Sequence, residues 1–462
     1  MSQVSRASVL ALMFLPLAVH AAAMRAGVAS VDITPPPGLS MYGYFDRIKE
    51  DRLSTGTLDP LYARALVLEA GNSRLALVTL DLGRCFGKAS LDRLRSEVRR
   101  LAGISNLLVT ASHTHAGPNV LDEYPNDQLP AWEADALGKI AHAVEEASRH
   151  VVDVRLGTGY GIAHVGYNRR VLDADGGVKM LWQNPTKIPT FPVDPTVSIL
   201  RLDSADEKPL AILVNYACHP VIFGSDNQKY SSDYVGVMRR TVEEGFGGRL
   251  ICFFLQGADG DINPYYASTP LQDGAVKLRD WTGQELGQEV VRAAKAIQTD
   301  NLSPSSIGFA EDEMIFKVRW PAEQFRSGLL KEFGPRIFED HADLLQDQPV
   351  PGTLTLNVAT ALIGKRIAIA TVPAEPFVEF QMTWRNRCPV PDAFFLGYTN
   401  GYFDYLPTIQ AASEGGYGAA DSNTYLEVGT GERLVDHALW RVYEMMGRLG
   451  EMPEDLKDRH PR

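Results

Sequence analysis

The chain is poor in cysteine, with Cys85, Cys218, Cys252 and Cys388 among its 462 residues. Four thiols are too few for a disulfide scaffold at this length, and the apolar contexts of Cys218 and Cys252 favour buried thiols over bridges. The chain also lacks an excess of positive charge, because its formal net charge is −12 at pH 7. That balance argues against nucleic acid as a partner and against electrostatic docking on anionic membranes.

Long apolar segments are equally scarce. Arg6 precedes the apolar run 9–19, which is followed by the small residues 21–23. This order is typical of a secretory signal peptide, and the run is shorter than the ~20 residues that a membrane span requires. We predict a signal peptide over residues 1–23, with cleavage after Ala21, Ala22 or Ala23. The mature protein is expected to be periplasmic or secreted and to have no transmembrane segment.

Hydrophobic residues make up 45% of the chain, enough for an extensive core. Apolar runs alternate with four helical patterns, at residues 88–102, 132–149, 234–245 and 282–297. This alternation predicts an α/β architecture, and no internal repeat is evident. The charged segment 321–351 is expected to be an exposed helical excursion, and the charged residues 451–462 a flexible tail.

Two histidines, His113 and His115, follow directly after the apolar run 106–110, which predicts a buried strand. The end of a strand is where a fold directs side chains into a cleft. Taken alone, the pair is equally compatible with two histidines that are satisfied in the core or on the surface.

Three other strand-like runs end in residues that can bind a metal. These are 210–217 before Cys218-His219-Pro220, 367–372 before Glu375, and 393–398 before a loop with Asn400, Tyr402 and Tyr405. Imidazole, carboxylate and phenolate ligands suit a divalent ion such as zinc, with one position left for water. The alternative is that loops after strands are polar in any protein, and spacing alone does not decide between the two.

Five motifs occur in the order seen in a known family. They are His-Thr-His-Ala-Gly-Pro at 113–118, Ala-Cys-His-Pro at 217–220, Gly-Asp-Ile-Asn-Pro at 260–264, Val-Pro-Ala-Glu at 372–375 and Asn-Gly-Tyr-Phe-Asp-Tyr-Leu-Pro-Thr at 400–408. Together they resemble the catalytic domain of the neutral/alkaline non-lysosomal ceramidases, over about Gly27 to Val428. The resemblance implies two packed central β-sheets flanked by helices and a hydrolase domain over residues 24–450. The C-terminal β-sandwich of full-length ceramidases is not expected here.

The resemblance also implies a metal site. One zinc ion per chain would be held by His113, His219, Glu375 and Tyr405. Water activated by the metal would then attack the amide.

Further roles around the scissile amide come from the same resemblance. His115 would transfer a proton, while Arg169 and Tyr417 would stabilise the oxyanion. The residues themselves leave other interpretations open: Arg169 as a solvated arginine in a polar turn, and Tyr417 as an aromatic packed under a glycine-rich loop. Asp233 is either a carboxylate that orients a ligand histidine or a helix N-cap.

One position departs from the family pattern. Ceramidases carry a serine, considered for a catalytic role, where this chain has Asn263. Asparagine cannot form a covalent acyl-enzyme, so Asn263 is expected to position substrate, and the metal-activated water is favoured as nucleophile.

These features predict an exported zinc-dependent amidohydrolase that acts on an N-acyl lipid or another small amide. The first alternative is a zinc hydrolase of the same fold that acts on an ester, lactone or acylated sugar. The second is an exported binding protein stabilised by a metal, which is disfavoured because closed structural zinc sites are usually rich in cysteine. The substrate and the oligomeric state stay open.

Overall fold

The computed structural model describes residues 23–50, 52–122, 124, 128–333, 352–421 and 423–450. The predicted signal peptide, up to residue 22, and the predicted tail lie outside the described residues. The strands are β1 (Arg25–Asp32), β2 (Gly56–Thr57), β3 (Tyr62–Ala70), β4 (Ser73–Leu80), β5 (Asn106–Ala111), β6 (Val152–Ile162), β7 (Gly166–Asn168), β8 (Arg170–Leu172), β9 (Val178–Met180), β10 (Thr196–Ser204), β11 (Pro209–Tyr216), β12 (Lys229–Tyr230), β13 (Ile251–Gln256), β14 (Ile262–Pro264), β15 (Ile307–Lys317), β16 (Thr353–Ile363), β17 (Ile367–Thr371), β18 (Glu375–Pro376), β19 (Asp392–Leu396) and β20 (Tyr405–Leu406). The helices are α1 (Phe45–Lys49), α2 (Lys88–Ala102), α3 (Ala131–Arg149), α4 (Asp233–Gly245), α5 (Ala275–Ala296), α6 (Ala322–Phe333), α7 (Val378–Arg387), α8 (Ile409–Glu414) and α9 (Thr430–Met445).

Two sheets form the centre of the fold. The larger has the strand order β13-β11-β10-β6-β1-β3-β4-β5, and the smaller has the order β15-β16-β17-β19. Most neighbours are antiparallel, but the pairs β4/β5, β11/β13 and β17/β19 are parallel. Parallel neighbours end at the same edge, so the loops after both strands of each pair leave the sheet together.

The two sheets pack face to face. Leu66 and Leu213 of the larger sheet share one apolar cluster with Ile369 and Phe394 of the smaller. Helices α2 and α3 cover one part of the larger sheet, α4 and α5 cover another, and α7 and α9 cover the smaller sheet. This arrangement confirms the predicted α/β fold with two packed sheets flanked by helices.

The sequence pattern explains the helices well. In α2, Leu91, Leu94 and Val98 recur at helical spacing and are buried, and the helix ends at Gly103, whose φ of 68° allows the left-handed cap. The predicted helices at 132–149 and 234–245 each begin one residue earlier than expected. Helix α5 begins seven residues before the predicted 282, directly after the left-handed Gly274.

The charged segment 321–351 is described only in part. Its first half forms helix α6, as predicted, and α6 packs against α1. Residues 334–351 lie outside the described part of the chain. No described helix is both long enough and apolar enough to cross a lipid bilayer.

Candidate metal centre and active site

The ends of two strands in the larger sheet bring His113 and His219 together. His113 follows β5 in a left-handed conformation (φ 68°), and its N–H donates to the carbonyl of Leu82 at 2.9 Å. His219 follows β11, and its N–H donates to the carbonyl of Ile262 at 3.0 Å. Both side chains are buried, and their ring centroids are 4.9 Å apart.

Glu375 and Tyr405 reach the same point from a separate two-stranded sheet, in which β18 follows β17 of the smaller sheet and β20 follows β19. They are register partners in the parallel pair β18/β20, which fixes their side chains next to each other. Glu375 Oε1 lies 2.7 Å from His219 Nε2 and 3.5 Å from His113 Nε2. The Tyr405 hydroxyl accepts a hydrogen bond from Arg169 and lines the same cavity as Glu375. The structure therefore places the four predicted ligands in one cluster.

Backbone carbonyls fix the tautomers of both histidines. His113 Nδ1 is 2.6 Å from the carbonyl of Gly83, and His219 Nδ1 is 3.0 Å from that of Ile262. Because a carbonyl only accepts, each Nδ1 carries a hydrogen, and each Nε2 is the ring nitrogen that faces Glu375 and is left to bind a metal ion. Burial opposes ionisation of Glu375, but His113 and His219 hold its pKa well below the usual range.

His115 belongs to the same cluster but is held differently. Its Nε2 is 3.3 Å from His113 Nε2, and the two rings meet edge to face. Its Nδ1 is buried and has no hydrogen-bond partner in the described part of the chain, so no carbonyl there fixes its tautomer. Burial lowers the pKa of His115 well below its ordinary value. The ring is half-buried and lines a cavity beside the cluster.

Arg169 is buried, at 5% exposure, and is not the solvated arginine of the alternative interpretation. Its guanidinium donates to Tyr405 Oη at 2.9 Å, to the carbonyl of Gly260 at 2.6 Å and to Asn263 Oδ1 at 3.3 Å. The ring of Tyr417 packs against Tyr405, with centroids 5.3 Å apart. Arg169 therefore contacts the cluster through the phenol of Tyr405.

Among the described residues, the Asp233 carboxylate makes no hydrogen bond or ion pair with a histidine ring. Its carboxylate accepts hydrogen bonds from the backbone N–H groups of Ile222, Phe223 and Tyr234. The helix cap itself is Ser232, whose side chain makes no capping bond. Asp233 thus fixes the loop after His219, a role that neither sequence interpretation described.

The sequence motifs did not single out Asp259 and Tyr398. Tyr398 stacks on His113 with ring centroids 4.2 Å apart, and it donates to Asp259 Oδ1 at 2.6 Å. Asp259 Oδ2 in turn lies 3.6 Å from His219 Nδ1. The one available signal was position in the sequence, because Asp259 lies in the loop after β13 and Tyr398 in the loop after β19.

A cavity of about 110 Å³ adjoins the cluster. Its wall includes His113, His115, Glu375, Tyr405 and Tyr417. The wall also includes Asp404, Asn423 and Arg84, whereas Arg169 and Asn263 are not part of it. Burial raises the pKa of Asp404 to about 8. Typical small-molecule sites measure ~300–1,000 Å³, so this cavity has room for a polar head group rather than for a whole lipid.

The donor set fits a divalent metal ion. Two neutral imidazoles with Nδ1 already engaged, one carboxylate and one phenol are ligand types that zinc accepts, and carbonyl bonds to Nδ1 are the usual way in which metal-binding histidines are oriented. Each of His113, His115 and His219 offers one ring nitrogen, and these three nitrogens lie within 4.8 Å of one another. His113, His219, Glu375 and Tyr405 could therefore hold the ion, with His115 beside it.

Gly43 is in close contact with His115, which leads to a testable prediction. A Cβ at Gly43 would lie 2.4 Å from His115 Cγ, and its φ of 104° disfavours any other residue. We expect Gly43→Ala to lose about 1–2 kcal/mol of stability from the backbone alone and to displace His115, lowering kcat while zinc binding is kept. Melting temperature, metal content and kcat would be measured together.

Gly38→Ala is the matched control. Gly38 has a nearly identical φ of 100°, but a Cβ there would meet no atom within 4 Å. It should therefore lose stability through its backbone alone and keep kcat unchanged, whereas Gly43→Ala should lose more because of the added clash with His115. Equal kcat in the two variants would mean that the position of His115 is irrelevant to turnover.

The fold and the cluster define a class of protein. Two β-sheets pack face to face, and a buried group of histidines and a carboxylate lies where their strands end. Residues 24–277, more than half of the chain, match the family model for the N-terminal part of neutral/alkaline non-lysosomal ceramidase. The chain belongs to this ceramidase family. Glu375, Tyr405 and Tyr417 lie beyond the matched residues.

Individual relatives agree with the family assignment. The chain is 27% identical to the neutral ceramidase of Mycobacterium tuberculosis over 246 residues, which cover 47% of this chain and 37% of that protein. The match therefore spans little more than a third of the mycobacterial protein. The crystal structure of neutral ceramidase from Pseudomonas aeruginosa superimposes with a TM-score of 0.70 at 18% identity, over 93% of this chain and 75% of that one. A ceramidase complexed with C2 has the same TM-score at 19% identity, over 94% and 78%. At these identities the structural likeness establishes the fold.

Proposed function

We propose that this protein is an exported, zinc-dependent hydrolase that cleaves the amide bond of an N-acyl lipid or a related small amide. The observation that carries the proposal is the geometry of His113 and His219, whose Nε2 atoms face Glu375 at the wall of a cavity. The curated and structural relatives named above are ceramidases, which supports an amide as substrate. Export is supported by the N-terminal sequence pattern alone.

The residues around the cavity have complementary roles in this proposal. His113, His219, Glu375 and Tyr405 would hold zinc, which supplies an activated water of pKa about 7 and polarises the carbonyl. His115 lines the cavity with an unpaired Nδ1 and moves a proton to the leaving nitrogen.

Tyr417 and Arg169 act at different distances from the substrate. Tyr417 lines the cavity and is placed to donate a hydrogen bond to the oxyanion. Burial raises the pKa of Tyr405 well above its ordinary value, and Arg169, which donates to Tyr405 Oη, opposes that rise, so it contributes through Tyr405.

The size of the cavity favours a second candidate function. About 110 Å³ would enclose a short acyl group or a small ring. A zinc hydrolase that acts on a small ester, lactone or acylated sugar would therefore use the same residues.

A substrate panel with metal analysis tests the proposal. We would measure zinc per chain and then kcat/KM for matched amides and esters whose acyl chains increase from acetyl to palmitoyl. The proposed function requires zinc and turnover of at least one amide that is lost on chelation and restored by zinc. Turnover confined to short esters would select the second candidate, and zinc without any turnover would contradict both.

Asn263 provides a prediction about mechanism. Its side chain accepts from Arg169 and donates to the carbonyl of Trp182 at 3.3 Å, and it is absent from the cavity wall. Asn263→Ser removes one such hydrogen bond, worth about 1 kcal/mol, so kcat/KM should fall by no more than about tenfold. Rapid quench and intact-mass analysis should show no covalent acyl-enzyme.

Asn263→Ala is the control for the serine hydroxyl: it removes both hydrogen bonds of the Asn263 side chain, and it too should accumulate no acyl-enzyme. A trapped acyl adduct on any side chain of the wild-type protein would overturn the water mechanism. A higher rate on ceramide for the serine variant alone would show that this position reads the substrate.

A further inference from the structure

Asp259 is a buried carboxylate that the proposed roles leave unexplained. It is 0% exposed, and among the described residues no lysine or arginine lies within salt-bridge distance of it. Its Oδ1 accepts a hydrogen bond from Tyr398, but its Oδ2 has no hydrogen-bond partner. Burying the ionised form of a carboxylate without a positive partner is costly, so an ionised Asp259 requires a compensating charge nearby.

Asp259 and Tyr398 together contact both histidines of the cluster. Asp259 Oδ2 is 3.6 Å from His219 Nδ1, and the Tyr398 ring stacks on His113 at 4.2 Å with an interplanar angle of 22°. The two loops are also joined through their backbones, because the N–H of Gly397 donates to the carbonyl of Gln256 at 3.1 Å. One hydrogen-bonded pair thus holds the two rings relative to each other.

Carboxylates lie on both sides of the His219 ring. Glu375 Oε1 is 2.7 Å from Nε2, and Asp259 Oδ2 is 3.6 Å from Nδ1. A divalent cation between Glu375 and the two histidines would offset both negative charges. A carboxylate near Nδ1–H also makes Nε2 a better donor to a metal.

We propose that Asp259 is the buried counter-charge of the metal centre: together with Tyr398 it positions His219 and His113 and raises the affinity for a divalent cation. This inference rests on the proposed metal site. Asp259 is a positioning residue, since it contacts His219 and Tyr398 and is not part of the cavity wall.

Asp259→Asn separates this role from a purely structural one. The amide keeps the shape and can still accept from Tyr398, but it carries no charge. We expect the Kd for zinc to rise about 10–100-fold. The metal-free variant should melt at the same or a higher temperature than metal-free wild type, because an uncompensated buried charge has been removed. A chromophoric chelator in competition gives the Kd, and calorimetry of metal-free protein gives the melting temperature.

Asp261→Asn is the matched control in the same loop. Asp261 is also buried, but its carboxylate accepts from Asn168 Nδ2 at 2.6 Å and from the N–H of Val378 at 2.8 Å. This variant should keep the zinc Kd within about twofold and should lower the melting temperature of the metal-free protein, since it weakens satisfied hydrogen bonds.

The results have distinct meanings. A zinc Kd within about twofold of wild type for Asp259→Asn would overturn the proposal whatever the stability of the variant. If that variant does not fold, Tyr398→Phe is tested in its place. Phenylalanine keeps the stacked ring but removes the hydrogen bond to Asp259, so the zinc Kd should rise several-fold. An unchanged Kd would again overturn the proposal. Wild-type protein that binds no zinc would overturn the proposed metal site and this inference with it.

Discussion

Replacing His113 or His219 with alanine is expected to leave a protein that holds no zinc and whose turnover falls to the uncatalysed background. Each imidazole presents one Nε2 to Glu375, and each is 1% exposed, so water cannot readily replace it. Loss of the His113 ring also removes the Nδ1 donor of the Gly83 carbonyl, at a cost of about 1–3 kcal/mol in stability. The carbonyl of Ile262 keeps the backbone N–H of residue 219 as a donor, so His219→Ala avoids that cost. Metal analysis and turnover of the best substrate in the panel would measure both effects.

His164→Ala controls for the loss of any histidine. His164 is exposed and precedes β7, and its replacement should change neither zinc content nor rate. Chelation followed by zinc should restore turnover in wild type and in His164→Ala but not in the two cluster variants. Full metal content in both His113→Ala and His219→Ala would rule out the ligand assignment.

Local patterns predicted much of the fold. The helix at 88–102 was predicted to the residue, because its apolar spacing and the glycine after it are both local signals. Helix α5 was predicted too short: its first turns follow Gly274, where the apolar pattern is less regular. The face-to-face arrangement of the sheets came from the family resemblance, since periodicity records which face of a strand is buried but not what covers it.

The candidate site, like the fold, could be predicted only in part from local patterns. His113 and His219 could be singled out because each follows an apolar run, whereas Glu375 and Tyr405 needed the family motifs. Their proximity depends on the register of β18 against β20, which pairs residues 375 and 405. The bond between Tyr398 and Asp259 spans 139 residues and joins loops from different sheets, so no local pattern could have predicted it.

His115 has two possible roles that the structure makes distinguishable by experiment. Its ligand-type nitrogen lies close enough to those of His113 and His219 to join them around one ion. Two features favour proton transfer instead. The Nδ1 atoms of His113 and His219 are fixed by carbonyls, whereas Nδ1 of His115 has no partner, and the His115 ring lines the cavity where a leaving group would be protonated.

We therefore expect His115→Ala to keep its zinc while kcat falls by about 10²–10⁴-fold, the usual contribution of a general acid or base. Added imidazole should restore part of the rate, because a small diffusible acid can enter the space left by the ring, and it should not restore His113→Ala. His115→Gln keeps a polar group of similar reach without a titratable proton, so it should be as slow as His115→Ala. Zinc loss in His115→Ala equal to that in His113→Ala would identify His115 as a ligand, and the proton would then have to come from another group at the cavity wall, such as Tyr417 or Asp404.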